Sequence, residues 1–191
     1  MYSKGYILLP GLRAYDEMLA LQGRIKMARR LGSLPDTVIF LEHYPCITIG
    51  AKGGHDSILV SSELLNKRGI QVYETDRGGD VTYHGPGQLV AYPILNLAPY
   101  GLGPSDYMHR LEDVAAAVAS DYGVQTHRRD KVIGVWVGDN KLAALGVRIK
   151  GNICYHGLAF NVNPNMRHWS MIIPCGITDG WVTSLSNELG W

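Results

Sequence analysis

Three cysteines are spread along the 191-residue chain, and their neighbours distinguish them. Cys46 sits between Pro45 and the apolar run that starts at Ile47. Cys154 lies inside a strand-like run. Both fit a buried structural thiol, the usual fate of an unpaired cysteine. Cys175 stands between Pro174 and Gly176, at a rigid turn with open backbone, where a large substrate could reach it. The densest set of polar and aromatic groups is Arg77-Gly78-Gly79-Asp80-Val81-Thr82-Tyr83-His84-Gly85-Pro86-Gly87-Gln88. Its four glycines and one proline exclude a regular helix or a long strand. A glycine-lined polar loop that feeds an apolar run, Leu89 to Leu95, is where binding sites are commonly built; an ordinary surface loop would carry the same turn chemistry. Lys141 opens a strand after the Gly138-Asp139-Asn140 turn, a place where lysine ordinarily faces solvent. The seven histidines show no paired zinc spacing: Cys154-x-His156 and the distant His168 do not make a structural set, so no metal site is expected. His84 is the stronger candidate for binding or proton handling; for it and for His156, a ring satisfied by backbone hydrogen bonds stays open.

The elements that must position these residues follow from periodicity. Residues 12–31 read as a helix, with Leu12, Tyr15, Met18, Leu19, Ile25 and Leu31 on one face and Gly32 as the stop. Val38 to Leu41 and Ile47 to Ile49 are short β-branched strands around the Tyr44-Pro45 turn. Ser61 or Ser62 caps a short helix through Arg68, closed by Gly69. Ile70 to Tyr73 is a strand leading into the glycine-rich stretch. A second long helix is expected from Ser105 as N-cap to about Tyr122, with Tyr107, Met108, Leu111, Val114, Ala115 and Val118 inward and Gly123 at its end. Val132 to Val137, Lys141 to Ile149 and Ile153 to Val162 are three strands. Their short connections make antiparallel neighbours. Residues 183–189 suit a short terminal helix. The pattern is α+β, a mostly antiparallel sheet covered by helices.

Composition sets the outer bounds. No internal repeat or long linker divides residues 1–191, which suit a single domain with a real core. Hydrophobic residues are 46% and charged residues 18% of the chain, as in globular proteins rather than disordered ones. No apolar run approaches the roughly 20 residues of a membrane span, and the first residues carry no apolar stretch suited to a signal peptide. Three unpaired cysteines fit a reducing compartment, so a cytoplasmic protein is expected. A net charge of +1 argues against a nucleic-acid surface driven by excess charge. Two local basic clusters stand out: Arg24, Lys26, Arg29 and Arg30, and Arg128, Arg129 and Lys131. Either serves equally well as a solvated face.

The stretch from Arg77 to Gln88 resembles the signature of the lipoyl(octanoyl) transferases, the octanoyl-[acyl-carrier-protein]:protein N-octanoyltransferases. Three further segments match in order: Leu41-Glu42-His43 with Thr48-Ile49-Gly50, then Lys141-Leu142-Ala143-Ala144-Leu145-Gly146-Val147-Arg148-Ile149, then His156-Gly157-Leu158-Ala159-Phe160-Asn161-Val162 followed by Ile173-Pro174-Cys175-Gly176-Ile177. The resemblance covers nearly the whole chain. It implies the fold of the biotin and lipoate protein ligase catalytic domains. It also implies transfer of octanoyl from acyl carrier protein to a specific lysine of apo-lipoyl domains, those of 2-oxoacid dehydrogenase complexes and of the glycine cleavage H protein. No cofactor, metal, nucleic acid or membrane is implied.

On the same resemblance Cys175 is the acyl-thioester nucleophile and Lys141 its acid–base partner. The physics is sound: a thiol of ordinary pKa about 8.5 is mostly protonated at neutral pH, and a nearby cation favours the thiolate. A lysine partly stripped of water can also exchange a proton. The segments Arg77-Gly78-Gly79-Asp80-Val81-Thr82-Tyr83-His84, Ala144-Leu145-Gly146 and Gly157-Leu158-Ala159 would form the acyl pocket. Their small residues are expected to leave room for an alkyl tail and to bare backbone N–H groups for an oxyanion. Two other readings remain open. An ATP-dependent lipoate or biotin ligase would form an adenylate, although no G-x-x-x-x-G-K-[ST] motif is present. A lipoyl-domain-binding module without activity would leave Cys175 unacylated.

Overall fold

A computed structural model of the chain describes residues 4–130, 132–174 and 180–191. Among these the order is β1 (Lys4–Arg13), α1 (Tyr15–Arg30), β2 (Asp36–His43), β3 (Cys46–Ile49), α2 (Ser62–Lys67), β4 (Gln71–Glu74), β5 (Val81–His84), β6 (Gln88–Ile94), α3 (Pro104–Asp121), β7 (His127–Arg129), β8 (Val132–Val137), β9 (Asn140–Lys150), β10 (Ile153–Asn161), β11 (Trp181–Val182) and α4 (Leu185–Leu189). The large sheet has the order β1-β2-β6-β10-β9-β8-β7, with β11 added beside β9; a second sheet runs β4-β3-β5. Most pairs are antiparallel, the exceptions being β1–β2, β3–β4 and β9–β11. This is the expected α+β fold.

Strand β10 is central, and all nine of its residues are buried. Its two faces feed different cores. Cys154, Leu158 and Phe160 pack with Tyr107, Leu111 and Ala115 of α3. Ile153, Tyr155 and Ala159 pack with Met18 and Ile25 of α1. The β9–β10 turn is Gly151-Asn152, both with positive φ (59° and 63°), as a two-residue hairpin turn requires. The small sheet closes its own core around Ile47, Val81, Tyr83 and Trp169.

Several boundaries differ from the sequence reading. Leu12 belongs to β1, paired with Glu42, and α1 begins at Tyr15. Strand β1 carries Pro10 and Gly11, and its register slips between Leu8 and Leu12 with Gly11 at φ 76°. Such an irregular edge strand carries no period-two signature, and its proline is tolerated because an edge needs fewer donors. Leu31 is exposed beyond the end of α1. Helix α3 starts at Pro104 after Gly103, so Ser105 does not cap it. Its buried stripe is Tyr107, Leu111, Ala115 and Ala119, while Val114 and Val118 face outward. A four-residue strand, β5, lies inside the glycine-rich stretch.

Candidate active site

The chain from Arg77 to Asp80 is held between two other segments. On one side Gly50 N donates to Asp80 O, Ala51 N to Arg77 O and Lys52 N to Gly79 O (2.9–3.1 Å). On the other, Gly78 N donates to Val147 O of β9 at 2.9 Å. Arg77 is buried and uses its guanidinium inside this sandwich. It donates to Thr48 O (2.7 Å), Thr48 Oγ1 (2.9 and 3.1 Å), Gly78 O (3.0 Å) and Asp80 O (2.7 Å). Arg77 therefore organises the loop that surrounds it.

Beside this loop lies a small cavity of about 30 Å³. Arg77, Thr82, His84, Ala144, Leu145, Gly146, Gly157, Leu158 and Ala159 line it, together with His156. The three matched segments thus meet at one place. Val81 and Tyr83, alternate residues on β5, point away into the small-sheet core, where Tyr83 Oη bonds His168 Nδ1 at 2.6 Å. Gly78, Gly79 and Asp80 belong to the loop packing rather than to the cavity wall. Two glycines were expected to leave room for substrate, but their missing side chains are used by the protein itself. A Cβ on Gly157 would fall on the Ala91 carbonyl, and one on Gly146 would stand 2.7 Å from Gly78 O.

Sequence reasoning missed several residues at the site. Tyr15, Val90 and Tyr92 complete the cavity wall. Tyr15 and Gln22 lie seven positions apart on the buried stripe of α1, a spacing that exposes a glutamine among apolar inward positions as unusual. Thr48 and Gly50 belong to the matched Thr48-Ile49-Gly50 segment but were assigned no place at the site; a Cβ at Gly50 would meet Arg77 Nη1 at 2.8 Å.

Two histidines at the site are held neutral. His84 is fully enclosed; burial is the main force pushing its pKa down from 6.5 to about 3. Gln88 Nε2 donates to Tyr83 O and Asn161 Oδ1, which leaves Gln88 Oε1 to accept from His84 Nδ1 at 2.7 Å. Thr48 Oγ1 is 3.4 Å from His84 Nε2. With both nitrogens occupied and the ring uncharged, His84 is a poor proton carrier near pH 7; of the roles expected for it, its place in the cavity wall is compatible with binding. His43 lies between Arg13 O (3.0 Å) and Tyr92 Oη (2.7 Å), and burial lowers its pKa to about 4. Burial raises Tyr15 to about 12.

His156 differs. It has φ 59°, inside a strand where neighbours point to opposite faces. The turn brings it to the same side as Tyr155: their rings are 4.9 Å apart, and both bond Asp76. His156 Nε2 is 2.9 Å from Asp76 Oδ1, while the backbone N–H donates to Gln22 Oε1 at 2.8 Å. Burial lowers the His156 pKa, opposed by the Asp76 carboxylate. Nδ1 is buried and makes no hydrogen bond among the described residues.

Lys141 is only 4% exposed, against the ordinary expectation for a lysine after a turn. Its Nζ lies 4.8 Å from the centre of the Trp136 ring. Gly134 makes space for the stem: a Cβ there would stand 3.0 Å from Lys141 Cε and 3.0 Å from Ala143 O. The Lys141 carbonyl accepts from Thr183 N at 2.9 Å, and Thr183 O accepts from Asn161 Nδ2, so β9, β10 and β11 are tied together at this point. Cys175 lies outside the described residues, as does Lys131. Cys46 and Cys154 are buried, and burial pushes both thiols up. Among the described residues no cluster of three or more metal-binding side chains occurs, and no helix is long and apolar enough to cross a membrane.

The profile of the lipoyl protein ligase A/B catalytic domain matches residues 14–191. An octanoyltransferase of Caldicellulosiruptor saccharolyticus is 47% identical over 178 residues, 92% of this chain and 76% of that protein. One of Syntrophobacter fumaroxidans is 40% identical over 190 residues, 100% of this chain and 83% of the other. Among solved structures, a lipoate-protein ligase A bound with ATP superposes with a TM-score of 0.77, covering 97% of this chain and 77% of that one. At 14% identity that likeness speaks for the fold alone.

Proposed function

We propose a reaction for this chain on one premise: it belongs to the lipoyl protein ligase A/B catalytic domain family. Within that family it is an octanoyltransferase of protein lipoylation. The donor is octanoyl-acyl carrier protein. Cys175, as thiolate, attacks the donor's thioester carbonyl, and the carrier leaves as a thiol with a proton given up by Lys141. A lysine of an apo-lipoyl domain, from a 2-oxoacid dehydrogenase complex or the glycine cleavage H protein, then attacks the Cys175 thioester and forms the amide. Both thioesters are activated, so amide formation needs no ATP.

The observation that carries this reading is the burial of Lys141. A lysine held away from water on a strand that pairs with β11, just beyond Cys175 in the chain, fits a role as charge and proton partner better than a solvated turn. The cavity fits the acyl chain in character, being walled by Val90, Leu145, Leu158 and Ala159. At about 30 Å³ it holds roughly two water-sized probes of about 10–15 Å³ each, so an eight-carbon chain must part its walls on entry.

Intact mass after mixing with octanoyl-loaded carrier protein tests the reading. One octanoyl group should appear, mapped to Cys175. Cys175→Ala should abolish it, Cys46→Ala and Cys154→Ala should keep it, and ATP should change nothing. Acylation elsewhere, or a requirement for ATP, overturns the reading.

A further inference from the structure

The two half-reactions just described differ in their protons. Acylation exchanges one thiol for another and is proton-neutral overall. Transfer is not. The thioester C–S bond breaks and a C–N bond forms; of the two protons the acceptor's ammonium gives up, one restores the Cys175–Lys141 pair and the other must leave the site. A cavity whose exposed surface is mostly apolar favours a base in its wall and a path from that base to water.

We propose that His156 takes this proton from the incoming amine and that Asp76 positions the ring and connects it to solvent. The inference rests on the octanoyl-transfer reading. A carboxylate can only accept, so His156 Nε2 carries the hydrogen and bonds Asp76 Oδ1 at 2.9 Å. That leaves Nδ1 with a lone pair, buried in a residue that lines the cavity and unpaired among the described residues. A buried acceptor without a donor is costly, and native proteins rarely keep one without use. The ring is 1% exposed and the Asp76 side chain 53% exposed, so the pair spans from cavity wall to surface. Tyr155 Oη bonds the other carboxylate oxygen and fixes its direction. The positive φ at His156 is what lets adjacent residues share one carboxylate, and non-glycine residues hold that conformation only where the surroundings enforce it.

The proton passes from amine nitrogen to Nδ1. The imidazolium, stabilised by Asp76, returns a proton to water beside the carboxylate before the next turnover. The other ionisable groups around the ring are Arg77 on the loop after β4, Lys26 on α1 and His84 on β5, with Arg148 of β9 beside Tyr155. Arg77 and Lys26 oppose a charge on His156; Asp76 favours it.

Single-turnover kinetics on the full chain separate the steps. Acylation is followed by mass with octanoyl-carrier protein, and transfer from isolated octanoyl-enzyme to an apo-lipoyl domain. His156→Ala should slow transfer about 10²-fold at pH 7 and leave acylation within a few-fold, with added imidazole restoring part of the loss. Asp76→Asn, at an exposed position that tolerates folding, should slow transfer about 10-fold and move the acid limb of its pH profile to lower pH. If both steps fall together, the residues only shape the cavity and the proposal is overturned. Unchanged transfer in Asp76→Asn overturns it too. Wild-type enzyme that never acylates on Cys175 would instead sink the octanoyl-transfer reading itself.

Discussion

Lys141 threads a four-carbon stem past Gly134 to place its amine against Trp136. Two contributions are combined in that side chain, packing and charge, and substitutions can part them. Lys141→Met keeps nearly the same volume, so the fold should hold within about 1.5 kcal/mol in thermal melts, the range of volume-conserving swaps. If Lys141 activates Cys175 as proposed, acylation at pH 7 should nevertheless fall about 10²-fold or more with loss of that cation. The thiol pKa should rise, read directly from alkylation rate against pH, and raising the pH should recover part of the acylation. Lys141→Arg keeps the charge but cannot exchange a proton near neutrality, so an acidic thiol should persist while turnover stays poor. An unchanged alkylation profile in Lys141→Met removes Lys141 from thiol activation. His84 cannot then replace it, since its nitrogens are occupied and its ring is neutral.

Strands β6, β9 and β10 supply most of the cavity wall, and at Gly157 the Ala91 carbonyl of β6 leaves no room for a side chain. Leu158 pairs with Ala91 across the β6–β10 ladder, and Gly157 faces Gly146 across β9. A methyl at 157 would fall on the Ala91 carbonyl and stand 2.6 Å from Pro93 Cδ. Gly157→Ala should therefore cost stability, about 1–3 kcal/mol as overpacking does, seen as a lowered denaturation midpoint without any ligand. An unchanged midpoint with lower activity would mean the open space faces substrate after all. The same strands show how far the sequence could be read. Their β-branched runs and glycine turns marked β8, β9 and β10 correctly, because short hairpins leave a local signature. The convergence of Ala144, Leu145, Gly146, Gly157, Leu158 and Ala159 with Thr82 and His84 came from motif order, not from periodicity. Strand β1 was lost because its Pro10, Gly11 and register slip erase the alternation. The outward placement of Val114 and Val118 was lost because α3 buries small alanines, which propensity treats as neutral. The Asp76–His156 pair is a contact across 80 positions, set by one positive φ that no local pattern announces.

Across the whole molecule, a few charges are paired within the described residues. Arg128 pairs with Glu112 and Asp113, Arg29 with Asp36, and Lys26 lies over Tyr155. A set of buried neutral histidines dictates how the protein should respond to acid. His43 and His84 have folded-state pKa values lowered from 6.5 to about 4 and about 3, chiefly by burial. In the unfolded chain both titrate near 6.5. Between about pH 6.5 and 4 the unfolded chain therefore binds protons that the folded one refuses, so stability must fall as pH falls through this window. Each histidine contributes a slope of at most roughly 1.4 kcal/mol per pH unit, on the order of 3 kcal/mol for His43 over its whole shift. His156 and His168, lowered in the same direction, add to the loss. Asp36 and Asp76, lowered below the usual carboxylate range, join it at still lower pH. Against a total stability of about 5–15 kcal/mol, this should bring acid unfolding to the neighbourhood of pH 4–5. Urea denaturation at pH 7, 6 and 5 checks it. His84→Gln should flatten the dependence of unfolding free energy on pH by about 1 kcal/mol per unit, whatever it does to stability at pH 7. A slope identical to that of the parent chain would show that His84 takes up its proton in the folded state, and the neutral Thr48–His84–Gln88 arrangement would have to be abandoned.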